Sequence, residues 1–176
     1  MERPVAGEIT IRRVRADEWR HWRATRLRML RDDAHFFSTR YDDMVREPDD
    51  TWREWVAEAA DGDQKALFVA DEDGRWLGVV GGFVRVDPQE AQLISMWVDR
   101  AARGRGIARD LIRELAAWTK ARGSSRVVLF VQEANRPAQE LYLRAGFRPT
   151  GDRMPASAGR SAFKQILAAS VDELLA

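Results

Sequence analysis

A short segment at residues 100–112, "RAARGRGIARDLI", combines arginines and glycines at the predicted start of a helix. The first backbone N–H groups of a helix have no partner inside it, and the helix dipole makes this end positive. No Ser, Thr, Asp or Asn stands between Arg100 and Arg109 to cap these groups. Gly104 and Gly106 have no Cβ, so an oxyanion can approach the backbone directly. The segment therefore predicts a binding site for a phosphate or pyrophosphate.

The alternative interpretation is an arginine-rich loop whose donors are satisfied by water. Two common phosphate loops do not fit the segment. A Walker loop requires Gly, four residues and then Gly-Lys-Ser/Thr, a string that the chain lacks. A dinucleotide-binding G-x-G-x-x-G turn needs a glycine where the chain has Arg109, and it follows a parallel strand. Both of these nucleotide-binding classes are therefore disfavoured.

The elements that position this turn follow from hydrophobic periodicity. Strands are predicted at residues 8–14, 66–70, 77–86, 93–98 and 126–131, from Phe147 onward, and at 161–168, with a loop at 151–160. Helices are predicted after a cap at Asp17, from a capping box of Thr51 and Glu54, from the turn to Gly123, and from Asn135 to Gly146. Short breaks between residues 66 and 98 favour antiparallel hairpins. A helical connection makes the strand at 126–131 parallel to its predecessor.

Composition limits the function classes. With 176 residues, of which 45% are hydrophobic and 32% charged, the chain is typical of one soluble globular domain spanning residues 1–176. A net charge of +1 disfavours binding to nucleic acid or to an anionic membrane. The absence of cysteine excludes disulfides, thiolate zinc sites and a cysteine nucleophile. His21 and His35 lack metal-ligand spacing, so no metal is expected.

Targeting signals are not expected either. No apolar run approaches the roughly 20 residues that cross a bilayer. The N-terminal segment has no signal-peptide pattern, which favours a cytoplasmic protein. The first helix carries many arginines, which are predicted to form a solvated face; binding of an acidic substrate is the alternative. These arginines are Arg20, Arg23, Arg28 and Arg31.

Two motifs resemble those of a known family. The segment "RGRGIA" at 103–108 follows the strand "LISMWV" and resembles the R/Q-x-x-G-x-G/A signature of the GCN5-related N-acetyltransferase (GNAT) superfamily. Downstream, "NRPAQELYLRAGF" at 135–147 resembles the N-x-x-A-x-x-x-Y-x-x-x-G-F segment of the same superfamily. The resemblance implies an α+β (mixed α/β) fold of the acyl-CoA N-acyltransferase type. Such a fold has a mixed, mostly antiparallel sheet with a splayed parallel strand pair, flanked by about four helices.

The resemblance also implies a co-substrate, acetyl-CoA or a related acyl-CoA. Its pyrophosphate would lie on the backbone of the turn, its pantetheine and thioester along the strand at 96–98, and its arm near the helix that starts at Asn135. The implied binding residues are Met96, Trp97, Val98, Arg103, Gly104, Arg105, Gly106, Ile107, Ala108, Arg109, Asn135, Ala138 and Tyr142. For three of these residues a purely structural role remains the alternative interpretation. Trp97 and Tyr142 could be core residues, and Asn135 could be a helix cap.

The family chemistry implied is direct attack of a primary amine on the thioester. The tyrosine that matches Tyr142 donates a proton to the departing CoA thiolate, which suits a phenol with a pKa near ~10. A base must also take a proton from the amine. Glu133, just past the strand at 126–131, is the candidate, although a solvated loop glutamate is the alternative; Asp99 is a weaker choice. The first-motif strand offers Ser95 and no acid.

Two further questions stay open at this stage. A non-catalytic acyl-CoA-binding or regulatory module on the same fold is the alternative function. The acceptor could be an antibiotic, a polyamine, an amino-acid derivative, or a protein N-terminus or lysine, and its pocket is expected between Trp19 and Trp55 and at 151–160. Neither the acyl chain nor the oligomeric state is specified, and a homodimer is one option.

Overall fold

The computed structural model describes residues 7–156 and 162–176. Within these ranges, seven strands form one sheet in the order β1-β2-β3-β4-β5-β7-β6. The strands are β1 Ile9–Arg13, β2 Lys65–Glu72, β3 Arg75–Val84, β4 Glu90–Val98, β5 Arg126–Gln132, β6 Arg148–Pro155 and β7 Phe163–Ser170. The α-helices are α1 Trp19–Asp32, α2 Tyr41–Met44, α3 Asp49–Asp61, α4 Ile107–Ala121, α5 Arg136–Ala145 and α6 Val171–Leu175. Short 3-10 turns lie at Ala16–Glu18, Ala34–Phe36 and Arg100–Ala102.

The sheet is antiparallel except for one pair of strands. Strands β1 to β4 form an antiparallel meander, and β5 and β6 each pair antiparallel with β7. Strands β4 and β5 are parallel, because α4 carries the chain back between them. The predicted α+β class and the predicted hairpins are therefore confirmed.

Strands β4 and β5 separate after a short start. They pair only at Glu90–Arg126, Ala91–Val127 and Gln92–Val128, although both strands continue well beyond these positions. On its other edge β4 carries a bulge, where Ser95 has a φ of 53° and two residues of β4 face one residue of β3. A bulge bends its strand and increases the local twist. The result is an opening between the carboxyl ends of the two strands, the β4–β5 gap.

The two faces of the sheet carry different helices. Helix α4 covers one face with Leu111 and Leu115, and it packs so closely on β3 that a Cβ at Gly82 would lie 2.5 Å from Leu115 Cδ1. Helices α1 and α3 cover the other face with Trp22 and Trp52. This packing fixes the start of α4 beside the end of β4. In the described parts of the chain, no helix is both long and apolar enough to span a membrane.

Three local predictions were wrong. Asp17 does not cap α1, because it lies in a 3-10 turn and Glu18 is the residue that precedes the helix. Helix α3 begins at Asp49 after Pro48, so Thr51 lies in its first turn and the capping box with Glu54 does not form. The loop predicted at 151–160 is strand up to Pro155, because β6 pairs with β7 there. Ala156 follows this strand, and its N–H donates to Ala162 O at 2.9 Å. Residues 157–160 of the predicted loop and the predicted strand start at Ser161 lie outside the described residues.

Candidate functional site

The turn before α4 is built from two glycines in left-handed conformation. Asp99 Oδ1 accepts a hydrogen bond of 3.0 Å from Ala101 N, which closes the 3-10 turn after β4. Gly104 and Gly106 then both have a φ of +82°. Residues with a Cβ adopt this region at a cost of roughly 1–2 kcal/mol. No atom lies within 4 Å of the place where either Cβ would stand, so the turn is open to a ligand.

The start of α4 is uncapped, as the sequence predicted. Asp110 N donates to Gly106 O at 3.2 Å and is the first backbone donor after Arg103 with a backbone acceptor. No acceptor in residues 7–156 and 162–176 bonds the backbone N–H groups of residues 105–109. These donors converge with the positive end of the helix dipole. We call residues 103–109 the cradle, because its geometry suits a phosphate group.

The arginines of the cradle have different partners. Arg103 donates from Nε to Val98 O and from Nη2 to Asp33 Oδ2, both at 3.0 Å. Arg105 donates from Nη2 to Glu72 Oε1 at 2.7 Å. Arg109 is exposed, with a carboxylate at 3.6 Å on its own helix. Two of the three arginines therefore tie the turn to neighbouring elements, and Arg109 is the most accessible of them to a ligand.

The bulge in β4 separates the side chains that the sequence had grouped together. Side chains alternate along a strand, so one extra residue reverses the face of every residue after it. Past Ser95, Met96 and Val98 pack on the α4 side of the sheet. Trp97 is buried on the α1 side, where its Nε1 donates to Asp33 Oδ2 at 2.9 Å. The side chain of Trp97 is thus part of the core on the α1 side, and those of its two neighbours lie on the other face.

The second motif forms α5. Asn135 Oδ1 accepts from Ala138 N at 3.2 Å, so the predicted cap is confirmed. Tyr142 is buried in the core on the α4 side, in the same cluster as Met96, Val98 and Ala138. Its ring lies edge-on to Phe147 at 5.7 Å, and its hydroxyl makes no hydrogen bond to a described residue. Burial raises the pKa of Tyr142 above its ordinary value, so the phenol keeps its proton at neutral pH.

Comparisons with known proteins decide the family. The model of the acetyltransferase (GNAT) family matches residues 15–147 of the chain. The chain belongs to the GNAT family. Among curated relatives, N-acetyltransferase 8B of Homo sapiens is 31% identical over 119 residues, covering 64% of this chain and 51% of the relative. Mycothiol acetyltransferase of Clavibacter michiganensis is 32% identical over 155 residues, covering 84% of this chain and 45% of the relative.

Solved structures agree with this fold. A GNAT-family acetyltransferase from Streptococcus pneumoniae superposes with a TM-score of 0.79 at 20% identity, covering 93% of this chain and 99% of the other. Spermidine N-acetyltransferase from Vibrio cholerae, solved with CoA and spermine, has a TM-score of 0.74 at 17% identity, covering 96% and 98%. At these identities the likeness concerns the fold. The chain spans about half the length of the curated relatives described above.

The base predicted for this GNAT chain lies at the far side of the gap. Glu133 follows β5, and its N–H donates to Phe163 O at 3.0 Å, beside the start of β7. Its carboxylate forms a two-pronged ion pair with Arg153, in which Nη2 donates to Oε2 at 2.9 Å. Asp99, the weaker choice, caps the 3-10 turn and lies 3.3 Å from Arg28 Nη1. The structure therefore gives both carboxylates cationic partners.

Sequence reasoning did not identify Asp33. This buried carboxylate directly follows α1 and accepts hydrogen bonds from both Trp97 and Arg103. It therefore joins the end of α1, the strand beyond the bulge and the cradle. Its partners lie 64 and 70 positions away in the chain, and no local pattern indicates such a contact.

The predicted solvated face of α1 was wrong for two of its four arginines. Arg20 and Arg31 are exposed, as expected. Arg23 and Arg28 are half-buried, and each has an Nε that is shielded from solvent and has no acceptor in the described parts of the chain. The segment after α1 folds back over the helix: Val45 O lies 3.4 Å from Arg23 Nη2. A helix covered on its second side cannot leave all its arginines in water.

Proposed function

We propose that this chain is an N-acetyltransferase that transfers an acetyl group from acetyl-CoA to a primary amine. The observation that carries the proposal is the β4–β5 gap, which ends beside an uncapped helix start. A long thin ligand with a phosphate group along its length fits such an opening. Membership of the GNAT family supports the same assignment.

The cradle is proposed to bind the pyrophosphate of acetyl-CoA. The backbone N–H groups of Gly104, Arg105, Gly106, Ile107 and Ala108 would face its oxygens, while that of Arg103 donates to Arg100 O at the edge of the cradle. Charge-assisted hydrogen bonds to phosphate are shorter and stronger than neutral ones. The exposed side chain of Arg109 can add one such bond without losing a close ion pair. Arg103 and Arg105 keep the turn in place through Asp33 and Glu72.

The pantetheine and thioester are proposed to lie in the gap along Met96, Trp97 and Val98. After Gln92, the edge of β4 that faces β5 has no pairing partner in that strand. Its backbone groups can therefore pair with the amides of pantetheine, as a further strand would. Across the gap from β4, Asn135 precedes α5 and Ala138 lies in its first turn. The amide NH2 of Asn135 can donate to the cofactor arm while its Oδ1 caps the helix.

Tyr142 is proposed as the general acid. A neutral amine attacks the thioester carbonyl, the C–N bond forms, the C–S bond breaks, and the thiolate takes the phenolic proton. Burial among apolar groups keeps the phenol protonated and leaves its hydroxyl without a competing partner among the described residues. No protein nucleophile takes part in this sequence of steps.

Glu133 is proposed to take the proton that the attacking amine releases. It lies at the end of β5, on the opposite side of the gap from the bulged strand. Arg153 fixes the orientation of its carboxylate. A carboxylate that is held in place and still partly open to water can act directly or through one water molecule.

The test has two stages. Acetyl-CoA should raise the melting temperature of the chain, by a stabilisation of about 2.7 kcal/mol at a hundredfold excess over its dissociation constant. Release of free CoA, followed with a thiol reagent over a panel of amines, should then depend on the amine. No thermal shift would overturn the proposal. A thermal shift without CoA release from any amine would instead favour a non-catalytic acyl-CoA-binding module.

A further inference from the structure

Two arginines of α1 form no ion pair in the described parts of the chain, unlike the half-buried Arg12 and Arg28. Arg23 and Arg26 stand three positions apart, which places them side by side on the helix surface. Both are half-buried. Within residues 7–156 and 162–176, neither forms an ion pair, and Arg26 donates no hydrogen bond. By contrast, Arg12 is bonded by both Glu18 and Asp71.

The guanidinium of Arg26 is a charged group in an apolar setting. Its carbon lies 5.1 Å from the centre of the Phe37 ring, and its Nη1 is shielded from solvent without an acceptor. Burial lowers the pKa of Arg26 to about 10, so the side chain stays protonated at neutral pH. A charge that is shielded from solvent and has no partner is unfavourable, and a bound anion offsets part of that penalty.

Neighbouring charges do not neutralise this pair. On α2, Asp42 and Asp43 are exposed and form no ion pair with either arginine. At the end of α1, Asp33 bonds Trp97 and Arg103. The two adjacent cations therefore repel each other and have no carboxylate between them in the described structure.

The position of these arginines relates them to the β4–β5 gap. The segment after α1 is anchored at one end by Asp33 on Trp97, which belongs to β4 beyond the bulge. At its other end Ser38 Oγ accepts from Lys164 Nζ, and Lys164 pairs with Gln132 at the end of β5. Residues 33–38 thus pass from the β4 side to the β5 side of the gap, on the face opposite α4. Phe37 belongs to this crossing, and its ring is in contact with the Arg26 guanidinium.

We propose that the acceptor amine carries a carboxylate, which Arg26 binds and Arg23 helps to attract. The inference rests on the proposed function, since it assigns the acceptor side of the same gap. A guanidinium binds a carboxylate through parallel N–H donors, which fixes orientation as well as adding affinity. The apolar ring of Phe37 would pack on the body of the acceptor, while its amine reaches the thioester through the gap.

The experiment compares matched acceptors. L-Leucine, L-phenylalanine and L-glutamine are each assayed against their α-carboxamides, with spermidine as a polycationic acceptor, by CoA release at saturating acetyl-CoA. We expect kcat/KM to favour each acid over its amide by at least about tenfold, the usual contribution of a charge-assisted hydrogen bond. Equal rates, or a preference for the amides or for spermidine, would overturn the inference and leave the transferase function intact.

Variants locate the effect on α1. Arg26→Gln should lower kcat/KM for the acids by roughly 10- to 100-fold and leave the amides and the acetyl-CoA thermal shift unchanged. Arg26→Lys keeps the charge and should retain part of the preference for acids. Arg20→Gln, on the exposed face of the same helix, is the matched control and should change neither rate. If Arg26→Gln lowers acid and amide rates alike, the residue has a structural role and the inference fails.

If none of these amines is a substrate, their binding can be measured directly by thermal shift. In the presence of CoA, each acid should add a further thermal stabilisation that its carboxamide does not add. If neither member of any pair adds stabilisation, the inference is overturned. If acetyl-CoA itself gives no thermal shift, it is the proposed function that fails, so the two failures are distinguishable.

Discussion

The two faces of the sheet next to the β4–β5 gap, one covered by α4 and the other by α1, are held together in different ways. On the α4 side, the cradle uses backbone N–H groups and two left-handed glycines, within one stretch of seven residues. On the α1 side, the structure relies on side chains from distant parts of the chain, as when Asp33 bonds Trp97 and Ser38 bonds Lys164. A backbone site is determined locally and fits a constant group such as phosphate. A side-chain site is determined by tertiary packing and can differ between acceptors.

The largest expected effect is the loss of acetyl-CoA binding when the cradle on the α4 side is changed. Gly106→Asp would introduce a Cβ at a φ of +82° and a negative charge in the cradle. We expect it to abolish the thermal stabilisation by acetyl-CoA at concentrations that stabilise the unmodified chain. Gly123→Asp is the matched control, since Gly123 has a φ of +81° and open space at the other end of the same helix. Equal losses in both variants would mean that backbone strain, and not the cradle, is responsible.

Next in size is the loss of the proposed acid. Tyr142→Phe removes only the hydroxyl and should lower kcat by roughly 10²- to 10⁴-fold, with little change in acetyl-CoA affinity. The chain has two tyrosines, and the other, Tyr41, is exposed, so Tyr41→Phe is the matched control. Because burial raises the pKa of Tyr142, kcat should not fall between pH 7 and about pH 10 through ionisation of this group. An unchanged kcat in the variant would remove Tyr142 from the chemistry.

On the α1 side, the largest expected effect is a loss of stability when Asp33 is replaced. Asp33→Ala leaves Trp97 Nε1 and Arg103 Nη2 without their acceptor. The indole N–H is buried and the guanidinium is half exposed, so the loss of their shared acceptor should lower the free energy of unfolding by about 1–3 kcal/mol, measured by urea denaturation. Asp32→Ala is the control one residue away, since Asp32 is exposed, and its effect should stay within about 0.5 kcal/mol. Equal stabilities of the two variants would show that the contacts of Asp33 with Trp97 and Arg103 do not stabilise the fold.

A smaller effect is expected from the proposed base. Glu133→Gln should lower kcat/KM about tenfold and shift the pH at which the rate reaches its plateau, because water can replace a general base in part. Arg153→Gln leaves the carboxylate in place and removes the group that orients it. If both variants lose stability and neither changes the pH profile, the ion pair is structural and the base lies elsewhere.

The smallest effect is a pH dependence of stability on the α1 side. His21 stacks on Trp76 at 4.1 Å, and burial lowers its pKa below the ordinary value of about 6.5. The unfolded chain therefore binds this proton more readily than the folded one, so this contribution is complete above about pH 6.5 and is lost as the pH falls. Urea denaturation at pH 7.5 and 5.5 should show this loss, and His21→Gln should reduce it. His35→Gln, at the exposed second histidine, is the control.

The sequence predicted one side of the gap better than the other, for a physical reason. Gly104, Gly106 and Asn135 act on backbone groups a few residues away, so their roles follow from local spacing. Strand pairing was also predictable, because short turns permit only antiparallel neighbours. The unpaired state of Arg26 depends on which carboxylates approach it after folding, and this information is absent from any single window of the sequence.

The bulge in β4 shows where local patterns fail within an element. Residues 93–98 were correctly predicted as strand, but simple alternation would place the Trp97 side chain on the same face as Leu93. The extra residue at Ser95 reverses the alternation, so Leu93 lies on the α4 side and Trp97 on the α1 side. Apolar residues on both faces gave no indication of the reversal, because a buried strand tolerates either orientation.

The same bulge has a consequence for how this strand can change length. Leu93 and Trp97 face opposite sides of the sheet although they are four positions apart, because the bulge takes up one residue. Loss of Ser95 would restore regular pairing with β3 and leave Trp97 opposite Val79, so each side chain would keep its face while the bend that opens the gap would disappear. Loss of a second residue would reverse the alternation and turn the indole of Trp97 towards α4. The extra residue therefore serves the opening of the gap, and the packing of the core does not require it.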